Sequence, residues 1–300
     1  MLGRPLTPAR FGRAFFFALL LGAWERPAAI AAPSPTAAPP PIFNLGGQPD
    51  QEEGRKALEQ LRRQGIAGGY YLEFQLRVMP RRGEEWTVPG RMWAMQNERG
   101  AVSRVEISTP GGEGTRLLIQ NGAQPAVWRT AGGSDGRVEQ VGEAGLFAPI
   151  VPGTELTAFD LLMPFIYWTD FTYQGLERFR GRPTYVIVMR PPASFSSHYP
   201  QLTGVRVHLD TQFNALVQTE LLGPGGAVTK TLSVEDLKKI GEQWIPKTID
   251  LRDEATRNKT RFSVTAAALD LDFSAGLFEP AQLTDSFSPP AAARMESLQR

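Results

Sequence analysis

Residues 158–173 read AFDLLMPFIYWTDFTY, and the rest of the chain is organised around this stretch. Two acids, Asp160 and Asp170, interrupt a dense run of apolar and aromatic side chains, whereas most of the chain that follows has a strand-like pattern. Such a segment needs an apolar surface to lie against, and packing as a core helix against a sheet meets that need. A lid over a ligand cavity would show the same pattern. These residues alone leave both interpretations open.

Pro164 divides the stretch, because a proline inside a helix removes a hydrogen bond and clashes with the preceding turn. We therefore expect one helical piece from about Leu156 to Met163 and a second short turn before Phe171. Three- and four-residue spacing places four apolar side chains on one face of this insertion: Phe159, Leu162, Met163 and Ile166.

The chain on both sides of the insertion alternates with a period of two, which is typical of half-buried strands. In the first strand the apolar side chains Leu72, Phe74, Leu76 and Val78 face one way. Further strand-like runs cover residues 91–97, 101–108, 115–120, 126–130, 137–141, 174–180, 184–190, 204–210, 214–222, 229–239, 244–252 and 259–273. Glycine-rich breaks separate many of them, and connections this short favour antiparallel neighbours over crossover helices.

Residues 50–64 carry the pattern of a helix. Asp50 can cap its first turn, two acids follow, two arginines close its last turn, and Gly65 ends it. Taken together, residues 50–284 form one predicted domain of the mainly β class, a curled antiparallel sheet with an N-terminal helix and a central helical insertion. A curled sheet has a concave face that side chains, helices or a ligand must fill.

The two ends of the chain are predicted to lie outside this domain. Residues 1–31 combine a basic start, a short apolar run and small residues near Ala31, which is typical of a cleaved signal peptide. Residues 32–49 are rich in proline and alanine and predict a disordered leader. Residues 285–300 are rich in proline, alanine and serine and predict a flexible tail. An exported, periplasmic protein is the expected product.

Composition excludes several classes of function. Without residues 1–31 the chain has 28 basic and 30 acidic residues, a net charge of −2, and it shows no basic cluster with interleaved aromatic residues. Binding to nucleic acid is therefore not expected. The chain has no cysteine, so it offers no disulfide, thiol nucleophile, thiolate metal site or lipobox. Stability must come from an apolar core, and the chain is long enough to bury one.

The sequence contains no catalytic motif that would define an enzyme, and no cofactor or metal is predicted. A Gly-x-Ser-x-Gly elbow, a His-Glu-x-x-His motif and a P-loop are all missing. His198 follows Ser196 and Ser197 in an apparent loop, which leaves a serine hydrolase open as a distant alternative. His208 lies on the polar side of an alternating strand and is expected to face solvent. The acids Asp250, Asp253, Asp270 and Asp272 would bind Ca²⁺ weakly at best and are expected to be solvated.

The second half of the chain resembles the outer membrane lipoprotein-sorting proteins, a branch of the superfamily of lipoprotein carriers and receptors. The residues that carry the resemblance are 153–156 (GTEL), 160–162 (DLL), 170–173 (DFTY), 181–186 (GRPTYV), 205–210 (VRVHLD), 238–246 (KKIGEQWIP) and 277–283 (LFEPAQL). The resemblance implies an unclosed β-barrel wrapped around helices, with an apolar cavity for acyl chains. No position matches the arginine that contacts the lid in the family's carrier.

The resemblance and the aromatic content together predict a non-enzymatic binding protein. It would hold lipid or lipoprotein acyl chains in the concave face and act in outer-membrane lipoprotein sorting. Envelope proteins of the inner or outer membrane are further expected partners. The predicted ligand-binding residues are Phe159, Leu162, Met163, Phe165, Ile166, Trp168 and Phe171 in the insertion, and Phe74, Leu76 and Trp93 in the sheet. The main alternative is an interaction or scaffold module whose sheet is filled by its own side chains.

Overall fold

The structure, a computed structural model, describes residues 48–108, 114–131 and 136–298. The predicted signal peptide and residues 32–47 of the predicted leader lie outside these ranges, as do the glycine-rich breaks at residues 111–113 and 132–135. All described residues belong to one compact unit. The boundaries of the predicted domain, residues 50–284, stay a proposal.

Short helices and long antiparallel strands make up the described residues. The helices are α1 (Gln51–Arg63), α2 (Ala158–Leu162) and α3 (Ala193–His198). The strands are β1 (Gly69–Met79), β2 (Trp86–Asn97), β3 (Gly100–Ile107), β4 (Thr115–Gln120), β5 (Ala126–Ala131), β6 (Arg137–Gln140), β7 (Phe171–Phe179), β8 (Arg182–Met189), β9 (Gly204–Asp210), β10 (Leu216–Leu222), β11 (Val228–Ile240), β12 (Gln243–Asp253), β13 (Lys259–Leu271) and β14 (Glu296–Ser297).

One antiparallel sheet contains all of these strands, in the order β6-β5-β4-β3-β2-β1-β13-β12-β11-β10-β9-β8-β7, with β14 paired to β13. Nearly every strand pairs with its neighbour in sequence, which the short connections predicted. The exception is the long-range pair of β1 with β13, from Gly69↔Leu271 to Met79↔Lys259. β6 and β7 remain as the two edges of the sheet. The prediction of a mainly β, curled and unclosed β-barrel is confirmed.

The N-terminal helix α1 packs against edge strand β7. Asp50 caps it by accepting from the amide of Glu52, as its sequence predicted. The side-chain amide of Gln51 accepts from the backbone N–H of Tyr173 at 2.8 Å and donates to the same residue's carbonyl at 2.9 Å. Gln51 therefore bonds to the β7 edge as a strand residue would, and it protects part of that edge.

Between the two edge strands the chain crosses the concave face as residues 141–170, here named the plug. Its helix α2 opens with a reciprocal capping box between Thr157 and Asp160. The helix ends at Met163, whose left-handed φ of 43° breaks the helical hydrogen-bond pattern, and Pro164 then starts a 3₁₀ turn that ends at Tyr167. The break at Pro164 was predicted, although α2 is shorter than the expected helix.

Three segments differ from their prediction. β7 begins at Phe171, so this residue lies in the sheet and not in the helical insertion. Residues 193–198, expected as a loop, form α3, and Pro192 is its N-cap. A proline, which has no backbone N–H, is tolerated at a helix start because the first N–H groups have no partner within the helix. Residues 285–298, expected to be flexible, lie against the sheet and include β14. The composition of this last segment gave no signal of its docking.

The outer face of β1–β4 is covered by the segment after β13. Tyr71, Trp93, Val102 and Leu118 form a second apolar cluster with Leu277, Phe278 and Leu283 from that segment. The segment is also held by Arg104, whose buried guanidinium donates to the carbonyls of Gln282 and Leu283 at 2.9 and 3.0 Å. The sheet is therefore apolar on both faces at this end, and each face has its own cover.

Candidate functional site

The concave face of the sheet is apolar from one edge to the other. Nearly every long strand contributes at least one buried aliphatic or aromatic side chain to a single interior cluster. Examples from well-separated strands are Leu76, Val105, Ile119, Val207 and Ile245. Any apolar cover on such a face stabilises the folded protein by roughly 25 cal/mol per Å² of apolar surface that it removes from water. Its chemistry suits an apolar cover of any kind.

The plug provides that cover with a cluster of aromatic rings. The rings of Phe147 and Phe159 stack with centroids 4.5 Å apart, and Phe159 lies 5.8 Å from Phe165 and 6.4 Å from Trp168. The rings of Phe195, within α3, and Tyr199, just after it, join the same cluster. In this conformation the centre of the concave face is therefore filled by the chain's own side chains.

Nine of the ten predicted binding residues lie on the concave side or in its cover. Phe74 and Leu76 point inward from β1, and the ring of Phe74 stacks on that of Phe262 at 4.4 Å. Six plug residues are buried in the interior cluster or packed against it: Phe159, Leu162, Met163, Phe165, Ile166 and Trp168. Phe171 packs against the cluster from β7. Whether these residues hold a ligand stays a proposal.

Trp93 is the exception, because it lies on the outer face of the sheet. Trp93 is directly opposite Tyr71 in the pairing of β1 with β2. Side chains alternate along a strand, so Tyr71 and Trp93 point away from the concave face that Leu72 and Phe74 share. Its ring packs edge-on against Tyr71 at 5.1 Å beneath the C-terminal segment. The assignment of Trp93 to the concave site was therefore wrong.

A buried ion pair attaches the first half of the plug to the sheet. The ammonium of Lys230 on β11 donates to the Asp160 carboxylate at 2.5 Å and to the Glu155 carbonyl at 2.6 Å. The amide of Glu155 donates to the Thr260 hydroxyl at 2.8 Å. Burial also raises the pKa of the Glu155 carboxyl, and the negative charge of nearby Asp253 raises it further. These contacts hold α2 in place through charges that are taken out of water.

Two polar side chains attach the second half through backbone carbonyls. Asn121, which follows β4, donates to the carbonyls of Leu162 at 2.7 Å and Leu161 at 3.2 Å. Arg62 on α1 donates to the carbonyls of Ile166 at 2.8 Å and Trp168 at 3.3 Å. Side chains, and not strand pairing, thus fix these turns of the plug, and each such bond contributes only about 0.5–3 kcal/mol.

A pocket of about 310 Å³ opens where the plug leaves the sheet edge, here named the edge pocket. Its walls are Leu117 and Thr130 on one side and Ala148, Ile150 and Ala158 of the plug on the other. Arg129, also in the lining, pairs with Glu139 at 2.6 Å and is half exposed. This volume lies at the lower end of the range for small-molecule sites.

Sequence reasoning missed several members of the interior cluster, of which Phe147, Phe195 and Tyr199 carry the most aromatic surface. A signal for the last two was present. Phe195 and Tyr199 stand four residues apart between two prolines, which matches one face of a short helix. Phe147 has no such pattern, because it lies in an irregular part of the plug.

The residues of the hydrolase alternative meet without forming a catalytic triad. Nδ1 of His198 lies 3.3 Å from the Ser197 hydroxyl, 3.1 Å from the Ser194 carbonyl and 3.2 Å from the Glu143 carboxylate. A triad needs the acid and the serine on different ring nitrogens. The Ser197 hydroxyl also donates to the Ser194 carbonyl at 2.7 Å. This geometry is that of a helix end and gives the serine no activation.

Two further expectations about polar residues change in the structure. His208 is buried on the outer face of β9 and not solvated, because Phe179 and the long side chains of neighbouring strands cover it. Asp250 accepts from Arg261 at 2.7 Å and Lys259 at 3.2 Å, so its carboxylate is paired. Across the described ranges no three His, Cys, Asp or Glu side chains come together as a metal site would require.

The helices described above do not include one with the length and apolar character needed to span a bilayer. By sequence, no curated protein matches the chain. A model of an uncharacterized protein family matches residues 150–285, somewhat less than half of the chain. This matched part begins in the plug and ends after β13, so it contains all seven segments that carried the resemblance.

Solved structures match over most of the chain. A domain assigned to an outer membrane lipoprotein-sorting protein from Vibrio parahaemolyticus has 19% identity and a TM-score of 0.68, covering 78% of this chain and 100% of its own. A DUF1329 family protein from Desulfovibrio piger has 14% identity and a TM-score of 0.67, over 77% and 98%. A LolA superfamily protein from Nitrosomonas europaea has 15% identity and a TM-score of 0.58, over 75% and 96%. The predicted resemblance is therefore confirmed at the level of the fold.

Proposed function

We propose that this chain, which shares its fold with lipoprotein-sorting domains, is a non-enzymatic periplasmic protein that binds acyl chains on its concave face. The acyl chains belong to lipid or to lipoproteins on their way to the outer membrane. One observation carries the proposal: the cover of the apolar concave face is a separate segment, held by apolar packing, by a few side-chain bonds to its backbone and by the buried ion pair of Lys230 with Asp160. Within the described residues, backbone–backbone bonds from this segment to the sheet lie at its two ends, where Val141 bonds to Val127 and Arg190 to Asp170, so its middle can move without breaking strand pairs.

The edge pocket supports the proposal as the place where an acyl chain first binds. Leu117, Val141 and Ile150 make part of its lining aliphatic, and the half-exposed Arg129 in the same lining suits the polar end of an amphiphile. Each buried methylene contributes about 0.8 kcal/mol, so a strongly bound chain needs many of them. The edge pocket alone is small for this purpose. Further methylenes would take the place of Phe159 and Leu162 as the plug moves outward.

A fluorescent fatty acid added to delipidated protein tests the proposal. We expect saturable uptake by the wild type. Ala148→Trp, which places an indole in the edge pocket from an exposed position, should weaken binding about tenfold or more. Leu162→Asp, which puts a charge in the interior, should abolish uptake. Equal binding by all three proteins would contradict the proposal.

A matched control separates pocket filling from the general effect of an added tryptophan. Ala291 lines a different pocket, of about 320 Å³, on the outer face beside Trp93 and Phe287. Ala291→Trp should therefore leave uptake unchanged. Native mass spectrometry of protein purified from its own envelope should also show a lipid bound to the wild type and lost from Ala148→Trp.

An interaction module with a self-filled core is the second candidate, and the close aromatic packing of the plug favours it. In that case the wild type binds no fatty acid, and Ala148→Trp changes only stability. Recovery of envelope proteins with the lipid-free wild type would then support the module.

A further inference from the structure

The seam between β12 and β13 is paired over only part of its length. Partner positions run from Thr248↔Ser263 to Arg252↔Lys259. β12 already begins at Gln243, however, and β13 continues to Leu271. After Ser263, β13 is therefore no longer paired with β12. The backbone N–H and C=O groups on that side of β13 need another hydrogen-bond partner.

The C-terminal segment supplies that partner. Glu296 and Ser297 pair with Ala267 and Ala266 as β14, and the amide of Leu298 donates to the Thr265 carbonyl at 2.8 Å. One guanidinium nitrogen of Arg294 donates to the carbonyls of Leu269 and Asp270, at 3.2 and 2.9 Å. The segment thus bonds to the β13 edge from residue 265 to residue 270, as an added strand would.

One apolar side chain anchors this added strand. Leu298 is 3% exposed and belongs to the interior cluster of the sheet, so its side chain passes through the seam into the core. Burying a leucine contributes about 1.5–3 kcal/mol. The flanking residues Glu296 and Ser297 are exposed. The site therefore takes an extended backbone, one aliphatic anchor, polar neighbours and a basic residue four positions before the anchor.

The resident strand is short enough to be exchanged. It has two residues, whereas strands of globular proteins usually have five or six. The adjoining outer surface is also apolar: Trp244, in the part of β12 that has left the seam, is 45% exposed, and Leu237 on the neighbouring strand is 44% exposed. Tryptophan is enriched among the residues that carry most of the binding energy at protein interfaces.

We propose that the edge of β13 at residues 265–270 is a strand-addition site for an extended segment of a partner protein, which the chain's own residues 294–298 occupy in the free protein. The partner segment adds a strand to the sheet through its backbone and places an aliphatic side chain in the socket of Leu298. Trp244 and Leu237 then extend the contact. The proposal does not depend on what binds the concave face.

A labelled peptide of residues 292–300 (AARMESLQR) serves as the probe. The receptor is the chain shortened after Met295, which lacks β14 and the anchor. By fluorescence anisotropy we expect the shortened chain to bind this peptide about tenfold or more tightly than the full-length chain does, because the resident segment competes in the latter. A peptide with Leu298→Asp should not bind the shortened chain.

Several results would overturn the proposal. One is a shortened chain with the wild-type circular dichroism spectrum that binds both peptides equally or neither. Should the shortened chain not fold, full-length Leu298→Ser carries the same test, since it keeps every residue and loses only the anchor. A wild-type dimer that Leu298→Ser abolishes would assign the site to a second copy of this chain and overturn the assignment to another protein.

Discussion

Arg104 shows how a single residue holds a large segment in place. It is fully buried on the outer face of β3, and its guanidinium donates to the Glu106 carboxylate and to the carbonyls of Gln282, Leu283 and Asp285. Burial lowers the pKa of Arg104, and the adjacent Glu106 acts against that effect. An arginine stays protonated in such a place, so the contacts remain charge-assisted.

Replacement of this arginine should release the C-terminal segment. We expect Arg104→Met to destabilise the protein by about 3–5 kcal/mol, since the Glu106 carboxylate and several carbonyls would lose their buried donor. Urea unfolding measures the loss, and limited proteolysis should detect new cleavage near residues 282–287. Arg91→Met is the control, because Arg91 bonds to the same carboxylate at 3.1 Å but is 42% exposed and should cost under about 1 kcal/mol. Equal losses would contradict this account.

His208 makes the stability of the fold depend on pH. Neither ring nitrogen has a hydrogen-bond partner in the described part of the chain, and Glu220 is 3.9 Å away. Burial lowers the pKa of His208 below its ordinary 6.5; Glu220 opposes this shift, and Arg206 adds to it. As pH falls through 6.5, the unfolded chain therefore takes up the proton before the folded one does. The free energy of unfolding therefore decreases as the pH falls below 6.5.

We expect the free energy of unfolding to drop more between about pH 7.5 and about pH 5.5 in the wild type than in His208→Gln. Glu177 lies on neighbouring β7, and burial raises its pKa. Its contribution to the pH dependence has the opposite sign, but it is present in both proteins. Parallel pH profiles for the wild type and His208→Gln would count against the buried histidine as the cause.

At the scale of elements, α1 depends on a close approach to β7. Gly54 faces the strand, and a Cβ at this position would lie 2.5 Å from Cβ of Tyr173. We expect Gly54→Ala to lower stability by about 1–3 kcal/mol, although alanine favours a helix by about 1 kcal/mol. Gly142→Ala is the matched control, since nothing lies within 4 Å of its Cβ and its φ is −70°. Thermal unfolding should leave the control near the wild type; equal melting temperatures for both variants would contradict the close-approach argument.

The sequence predicted most elements because their signals are local. The cap at Asp50, the alternation of β1 and the break at Pro164 each depend on neighbouring residues alone. Which face of a strand is concave is not a local property, and Trp93 was therefore placed on the wrong side. The docked segment at residues 285–298 was missed for the same reason, since its anchor Arg104 is some 180 residues away in sequence.

For the whole molecule, the family resemblance covers less than the folding unit. Residues 150–285 contain most of the plug and strands β7–β13, but the other half of the interior comes from α1 and β1–β5. We expect the isolated 150–285 segment to lack a cooperative unfolding transition and to bind an apolar dye, whereas residues 48–298 should unfold cooperatively. A sharp calorimetric transition in the shorter segment would contradict this expectation.

The plug is continuous at both ends with the edge strands β6 and β7. When another molecule takes its place, the displaced segment consequently cannot diffuse away and stays near the surface that it left. Tethering of this kind keeps a competitor at an effective concentration of about millimolar. Its rings would compete with any occupant for the same surface, so the displaced plug would lower the apparent affinity of that occupant.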